Sequence, residues 1–271
     1  MKIYEYAKKR NIKSRDVVKK IHDLGYKHIK NHLSLVPLKI IDKLDEFDFA
    51  PKKKKLQPKT NIFISLECAP FSKSGISEIV RNKIKKNKRN KNHIIIPRNQ
   101  IDMKLDIFLE RNVIIDKKKI KGTVYKTQYK NDIYYLIEDK FINDKEIYQL
   151  AFFSLMAIET VKFLNNKIDK INIHDWELGL FPLMFKKIKS QFYNTIVEFS
   201  IYGATYKGIY AKNILTTIFG IDKKYLGLAE YAGSINFLKA GLVTADKIDI
   251  DKATLTELKT SYLKDYVYDN M

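Results

Sequence analysis

The chain has 271 residues, 45% hydrophobic and 12% aromatic, with 51 basic against 31 acidic side chains and a formal charge of +20. That content can bury a core and excludes global disorder. The single cysteine excludes an internal disulfide, argues against a cysteine-built metal site and fits a reducing cytoplasm.

No uninterrupted apolar run of about 18 residues and no apolar leader after Met1 is read, so a soluble, cytoplasmic chain with no membrane partner is expected. The charge is uneven. Residues 1–60 carry 17 basic and 7 acidic side chains, residues 61–100 carry 9 and 2, and residues 101–271 carry 25 and 22. Such a front either meets a polyanion such as RNA or reflects a lysine bias that runs through the whole sequence.

Residues 1–47 predict a small helical module. Tyr4, Ala7, Val17, Val18, Ile21 and Leu24 recur at helical spacing. Ser14 is expected to cap the helix containing Val17–Leu24, Gly25 to end it, and Pro37 to open another through Ile40, Ile41 and Leu44. Residues 48–60 read as a linker, since PKKKKLQPKT at 51–60 combines like charges with two prolines.

From residue 61 to 271 short apolar runs alternate with helical stretches. Strands are predicted over 61–65, 93–97, 132–137, 170–173 and 194–201, and helices over 77–86, 148–164 and 178–189. The alternation implies an α/β domain with a parallel sheet, whose ligands bind at the carboxyl ends of the strands. That rule points to the loops after Ser65, Ile173 and Ile201.

In the first loop, SLECAPFSKSGIS, Lys73 and Gly75 stand before a helix, a setting that can hold a phosphate or simply be a solvated turn. Cys68 reads as a small apolar filler. In the second loop, His174 and Asp175 are placed to meet sugar hydroxyls; equally, Asp175 caps the next helix and Trp176 packs. NFLKAG at 236–241 reads as a helix closed by a glycine cap.

Six ordered motifs resemble the N-terminal half of bacterial glycogen synthases and plant starch synthases: SLECAPFSKSG (65–75), HIIIPRNQ (93–100), AFFSLMAIE (151–159), NIHDWELGLFP (172–182), TYKGIY (205–210) and SINFLKAGLVTADKI (234–248). The resemblance covers about residues 61–258. It implies a Rossmann-like sheet, the first domain of a GT-B glycosyltransferase, acting without metal or other cofactor on ADP-glucose and an α-1,4-glucan. It implies that Lys73 and Gly75 hold the phosphates of ADP-glucose and that His174 and Asp175 line the glucose and acceptor site.

Residues 2–34, which include Asn31-His32-Leu33-Ser34, resemble the N-terminal module of bacterial translation initiation factor two. This implies RNA or the ribosome as a partner of residues 1–60. Against the synthase pattern, Ile76 replaces a phosphate-loop glycine, and Tyr202 with Gly203 replaces a histidine-asparagine pair that includes a catalytic-site histidine. Asp249 to Ala253 replace a T-x-V-S-P segment. The family's second domain, expected from a separate chain, has no counterpart in the sequence. The alternative is a non-catalytic relative that binds glucan or RNA.

Trypsin is expected to cut first between Asp48 and Thr60, leaving a resistant fragment that starts near Asn61. First cuts within 101–250, read by mass spectrometry, would contradict the boundary.

Overall fold

The computed structural model describes residues 1–10, 12–47, 49, 58–98, 105–138, 146–164, 167–205 and 208–268. Most of the expected linker, the end of HIIIPRNQ, and Tyr206 and Lys207 of TYKGIY lie outside the described residues. The chain divides into two compact units, Met1–Gln57 and Pro58–Met271.

The first unit holds α1 (Ile3–Arg10), α2 (Ser14–Asp23) and α3 (Leu38–Asp45). Of the expected apolar positions, Ala7, Val17, Ile21, Ile40 and Leu44 lie in its core, whereas Tyr4 is exposed because α1 turns Ile3, Tyr6 and Ala7 inward. Ser14 is not the cap: Lys13 precedes the first turn of α2, and no side chain caps it. Gly25 does follow the helix, at φ +95°.

The second unit is built on eight strands in the order β11-β7-β6-β1-β2-β5-β4-β3. β1 (Thr60–Ile64), β2 (Lys91–Pro97), β5 (Asp132–Ile137), β6 (Lys170–His174), β7 (Ile196–Ile201) and β11 (Lys247–Ile250) run parallel. β3 (Asp106–Ile115) and β4 (Lys118–Tyr129) form an antiparallel hairpin joined to β5. A small sheet holds β8 (Ile209–Tyr210), β9 (Glu230–Tyr231) and β10 (Ser234–Asn236).

Side chains alternate between two buried layers. Phe63, Ile94, Ile96, Tyr134 and Leu136 pack with Val80 and Ile84 of α4 (Gly75–Lys86). Ile62, Ile64, Ile95, Tyr135 and Ile137 face the larger core under α5 (Glu146–Leu164). Both faces are covered, which is why β1, β2 and β5 read as continuous apolar runs. A buried ion pair ties α4 to the sheet: Arg81 donates to Asp132 at 2.8 Å and to the Tyr134 hydroxyl at 3.0 Å.

Among the described residues, α5 is the one helix long and apolar enough to cross a membrane; the sequence reading found no such run. Ala151, Met156, Ala157 and Val161 lie in the core, and the turns carry Glu159 and Lys162.

Three further expectations are corrected. α4 starts at Gly75, not Ser77, because Ser74 and Ser77 cap it reciprocally. The predicted helix over 178–189 breaks into α6 (Phe181–Phe185) between 3₁₀ turns at Trp176–Leu178 and Lys186–Phe192. α7 (Ile214–Thr217) and α8 (Leu226–Ala229) are short turns in the following loops.

Gly241 lies inside α9 (Phe237–Thr244) and is not a cap; a Cβ there would stand 2.3 Å from the Phe199 ring. The hairpin β3–β4 went unread because one face is exposed and rich in lysine. α10 (Lys252–Lys259) and α11 (Lys264–Tyr268) close the unit.

Gly179→Ala is expected to destabilise the protein by about 2 kcal/mol or more, since its Cβ would stand 2.1 Å from the Phe237 carbonyl oxygen. Gly75→Ala, which meets open space, serves as the control. Equal melting temperatures for the two variants would refute the close-packing account.

Candidate functional site

The carboxyl ends of β1, β6 and β7 bring the predicted residues to one edge of the sheet. After β1 the chain turns at Ser65, whose Oγ accepts from the Glu67 N–H. Cys68 is buried, and burial pushes its thiol up to about 12, so it is the inert filler expected. Lys73 is exposed, and Gly75 opens α4 with free space around it. The Ser74 hydroxyl donates to the Glu67 carboxylate, so an internal anion already stands at the start of α4. Ile76 turns against the Phe63 and Val80 cluster.

At the end of β6, His174 is buried between Phe63 and Tyr202, with ring centres at 6.0 and 5.9 Å and planes within 8°. Its Nδ1 shares a 2.6 Å hydrogen bond with the Tyr202 hydroxyl, and its Nε2 is buried without a partner. Desolvation, with Lys83 nearby, holds the imidazole neutral and lowers its pKa to about 3. Burial likewise keeps the Tyr202 phenol protonated.

His174, Ser200 and Asp249 align across three adjacent strands. Lys83 of α4 reaches this row. It pairs with Asp249, donates to Ser200 Oγ at 3.1 Å and lies 4.9 Å from the Tyr202 ring centre.

Asp175 takes φ +71° and ψ 165°, a conformation costly for a residue with a side chain. Its carboxylate accepts from the Trp176 N–H at 2.8 Å, so the capping alternative is realised. Burial raises its pKa.

Glu177, which sequence reasoning missed, is pushed up to about 7 by burial and by Asp175, Glu146 and Glu67. Sequence does not show this convergence, because the carboxylates come from three separate segments. Beside them a cleft of about 210 Å³ is lined by Leu66, Glu67, Ile137, Glu138, Gln149 and Phe153. It offers hydrogen-bond acceptors above an apolar floor, which suits sugar hydroxyls and their C–H faces.

The motif residues also meet each other. Gly208, at φ +60°, would place a Cβ 2.8 Å from the Trp176 ring and 2.9 Å from Phe237 Cβ, and its carbonyl accepts from the Phe237 N–H at 3.0 Å.

A family profile described as the starch synthase catalytic domain matches residues 62–267. A glycogen synthase of Thermosipho africanus is 28% identical over 220 residues, 72% of this chain and 45% of that protein. One from Clostridioides difficile is 32% identical over 144 residues, 49% of this chain and 30% of that protein. The chain therefore spans less than half the length of these curated relatives. The solved catalytic domain of starch synthase IV from Arabidopsis thaliana, bound to ADP and acarbose, superposes with a TM-score of 0.66 at 16% identity. The match covers 78% of this chain and 49% of that one, and it shows the same fold.

Glu177 and His174 act on stability in opposite directions. The raised Glu177 pKa gives stability that is full below about 4.5 and lost as the pH rises through about 7. The lowered His174 pKa gives stability that is full above about 6.5 and lost as the pH falls towards about 3. Glu177→Gln should therefore exceed the parent by about 2 kcal/mol at pH 8 and match it at pH 4. Urea unfolding at both pH values measures this, and a constant difference would refute the assignment.

Proposed function

Since the chain belongs to the starch synthase catalytic domain family, we propose that its second unit is the acceptor-side lobe of a glycogen or starch synthase-type glycosyltransferase. In this reading glucose passes from ADP-glucose to a 4-hydroxyl of an α-1,4-glucan, with no cofactor. The observation that carries it is the carboxylate-lined cleft at the sheet edge, beside the strained Asp175.

Glu67 and Glu138 would accept hydrogen bonds from sugar hydroxyls while Phe153 supports a ring face. Asp175 would orient the transferred glucose, and its backbone is set for that task. Lys73, exposed and close to the start of α4, would attract the departing ADP as a point charge. A separate chain would supply the second lobe.

A second reading, a non-catalytic glucan-binding relative, is favoured by one specific observation. Tyr202, at the family's histidine position, closes over His174 Nδ1 and is held there by Lys83. Residues 1–47, through their resemblance to the initiation-factor module, are proposed as an interaction unit for RNA or the ribosome, and the cytoplasm as the setting.

Calorimetry with maltohexaose should detect binding that Glu67→Gln weakens at least about tenfold. ADP binding should be near millimolar, roughly −4 kcal/mol, and should vanish in Lys73→Ala while glucan binding persists. An unchanged glucan affinity in Glu67→Gln would sink the acceptor-lobe reading. Transfer of labelled glucose, assayed with and without a polypeptide carrying the second lobe, separates the two readings. Incorporation supports the synthase; its absence in both assays supports the non-catalytic relative.

A further inference from the structure

Between Asp23 and Asp42 the first unit contains Lys27, Lys30 and Lys39 with His28 and His32, and no acidic residue. All five side chains are exposed. The same segment turns out three leucines, Leu33, Leu35 and Leu38, which are 56%, 67% and 81% exposed, whereas the other described isoleucines, leucines and valines of the unit are buried or half-buried.

The segment is held firmly. Ile3 and Tyr4 donate their N–H groups to the carbonyls of Ser34 and His32 at 3.0 Å, and Val36 donates to Met1 at 2.9 Å. Ile29 and Val36 anchor it in the core, and the Ile29 carbonyl lies 2.6 Å from His22 Nε2. Outward leucines on a pinned loop are therefore a preset surface. They are not the result of fraying.

We propose that this loop, residues 27–39, together with the adjoining Tyr4, is the surface through which the first unit binds single-stranded RNA; this rests on the reading of residues 1–47 as an interaction unit. The loop alternates cations with rings and apolar side chains, and a single strand alternates phosphates with unstacked bases. Lysines neutralise phosphates, while Tyr4, His28, His32 and the leucines meet base faces. A duplex hides those faces and offers charge alone. A protein partner would have to bring an apolar ridge ringed by carboxylates.

Asn31 spends Oδ1 on Leu33 N–H and Ser34 Oγ, which leaves its amide N–H groups at the surface for a ribose 2′-hydroxyl. Glu5, next to Tyr4, accepts from Lys2 N–H and Tyr4 Oη.

The test is fluorescence anisotropy of the full chain with a labelled oligouridine of about 20 nucleotides, enough to cover one such site, at low and high salt. Lys27→Glu/Lys30→Glu/Lys39→Glu should weaken binding at least about tenfold and flatten the salt dependence, because counterion release is lost. Leu33→Ser/Leu35→Ser/Leu38→Ser should weaken it about fivefold or more with the salt slope kept, since base contacts are lost and phosphate contacts remain.

Lys8→Glu/Lys9→Glu on α1 should stay within about twofold; circular dichroism melts check that each variant, altered only at exposed positions, still folds. If RNA binds but the α1 variant loses it and the loop variants do not, the surface assignment falls while the RNA reading stands. If the parent binds no RNA, both fall. Equal or tighter binding of an RNA duplex, or of oligothymidine, overturns the single-stranded RNA assignment. Loss of a protein contact in the leucine variant without any RNA binding would make the loop a protein-docking face and overturn it as well.

Discussion

Residue 179 stands so close to the Phe237 carbonyl that a Cβ would lie 2.1 Å from its oxygen. The turn after β6 can approach α9 only because that side chain is missing. Gly208 repeats the condition from a second segment, lying against the Trp176 ring and bonding the Phe237 N–H through its carbonyl. These contacts bring the segments after β6 and β7 and the start of α9 to one point at the carboxyl edge. Three motifs distant in sequence thus owe their residue types to one packing problem. Trp176, Gly179, Gly208 and Phe237 are scaffold, and the chemistry-bearing groups are held by them.

Next to this joint lies a polar row that does not look like an open reaction centre. His174, Ser200 and Asp249 share a register across β6, β7 and β11, and Lys83 covers the row. His174 and Ser200 are buried, which is costly for any polar atom left without a partner. Lys83, Asp249, Ser200 and Tyr202 have partners; the exception is His174 Nε2. Asp249 and Tyr202, where the sequence reading expected other residues, work together here. The lysine that neutralises Asp249 also lies against the Tyr202 ring, which in turn bonds His174 Nδ1. The substitutions are coupled, so reversing Tyr202 alone would leave Lys83 and Asp249 in an altered setting.

The buried strands were legible because β1, β2 and β5 are covered on both faces and their residues carry that fact as apolar runs. The hairpin β3–β4 was not, since its solvent face is written in lysines that periodicity assigns to a loop. Helix starts shifted by one or two residues: α2 takes Ser14 into its first turn after Lys13, and at α4 Ser72, Ser74 and Ser77 all stand near the start. Within the site, Lys73, Gly75, His174, Asp175 and Tyr202 could be singled out from motifs. The gathering of Glu67, Glu138 and Glu177 could not, because it depends on which strand lies beside which. Nor could a sequence show that His174 would be sealed behind Phe63 and Tyr202.

The electrostatics of the two units point to different ligands. A chain of net charge +20 nevertheless gathers carboxylates at its sheet edge, where burial raises the proton affinity of Asp175 and Glu177, with Glu67 adding to the first and Asp175 to the second. Glu67 stands at the start of α4, so an anion arriving there would meet the exposed Lys73 and not the helix start alone. The first unit carries a cationic stretch free of acids between Asp23 and Asp42. A sugar chain needs acceptors, an apolar floor and no net charge; a nucleic acid needs cations, rings and no carboxylates. In the reading proposed above, the sheet edge meets the first set of requirements and the loop over residues 27–39 meets the second.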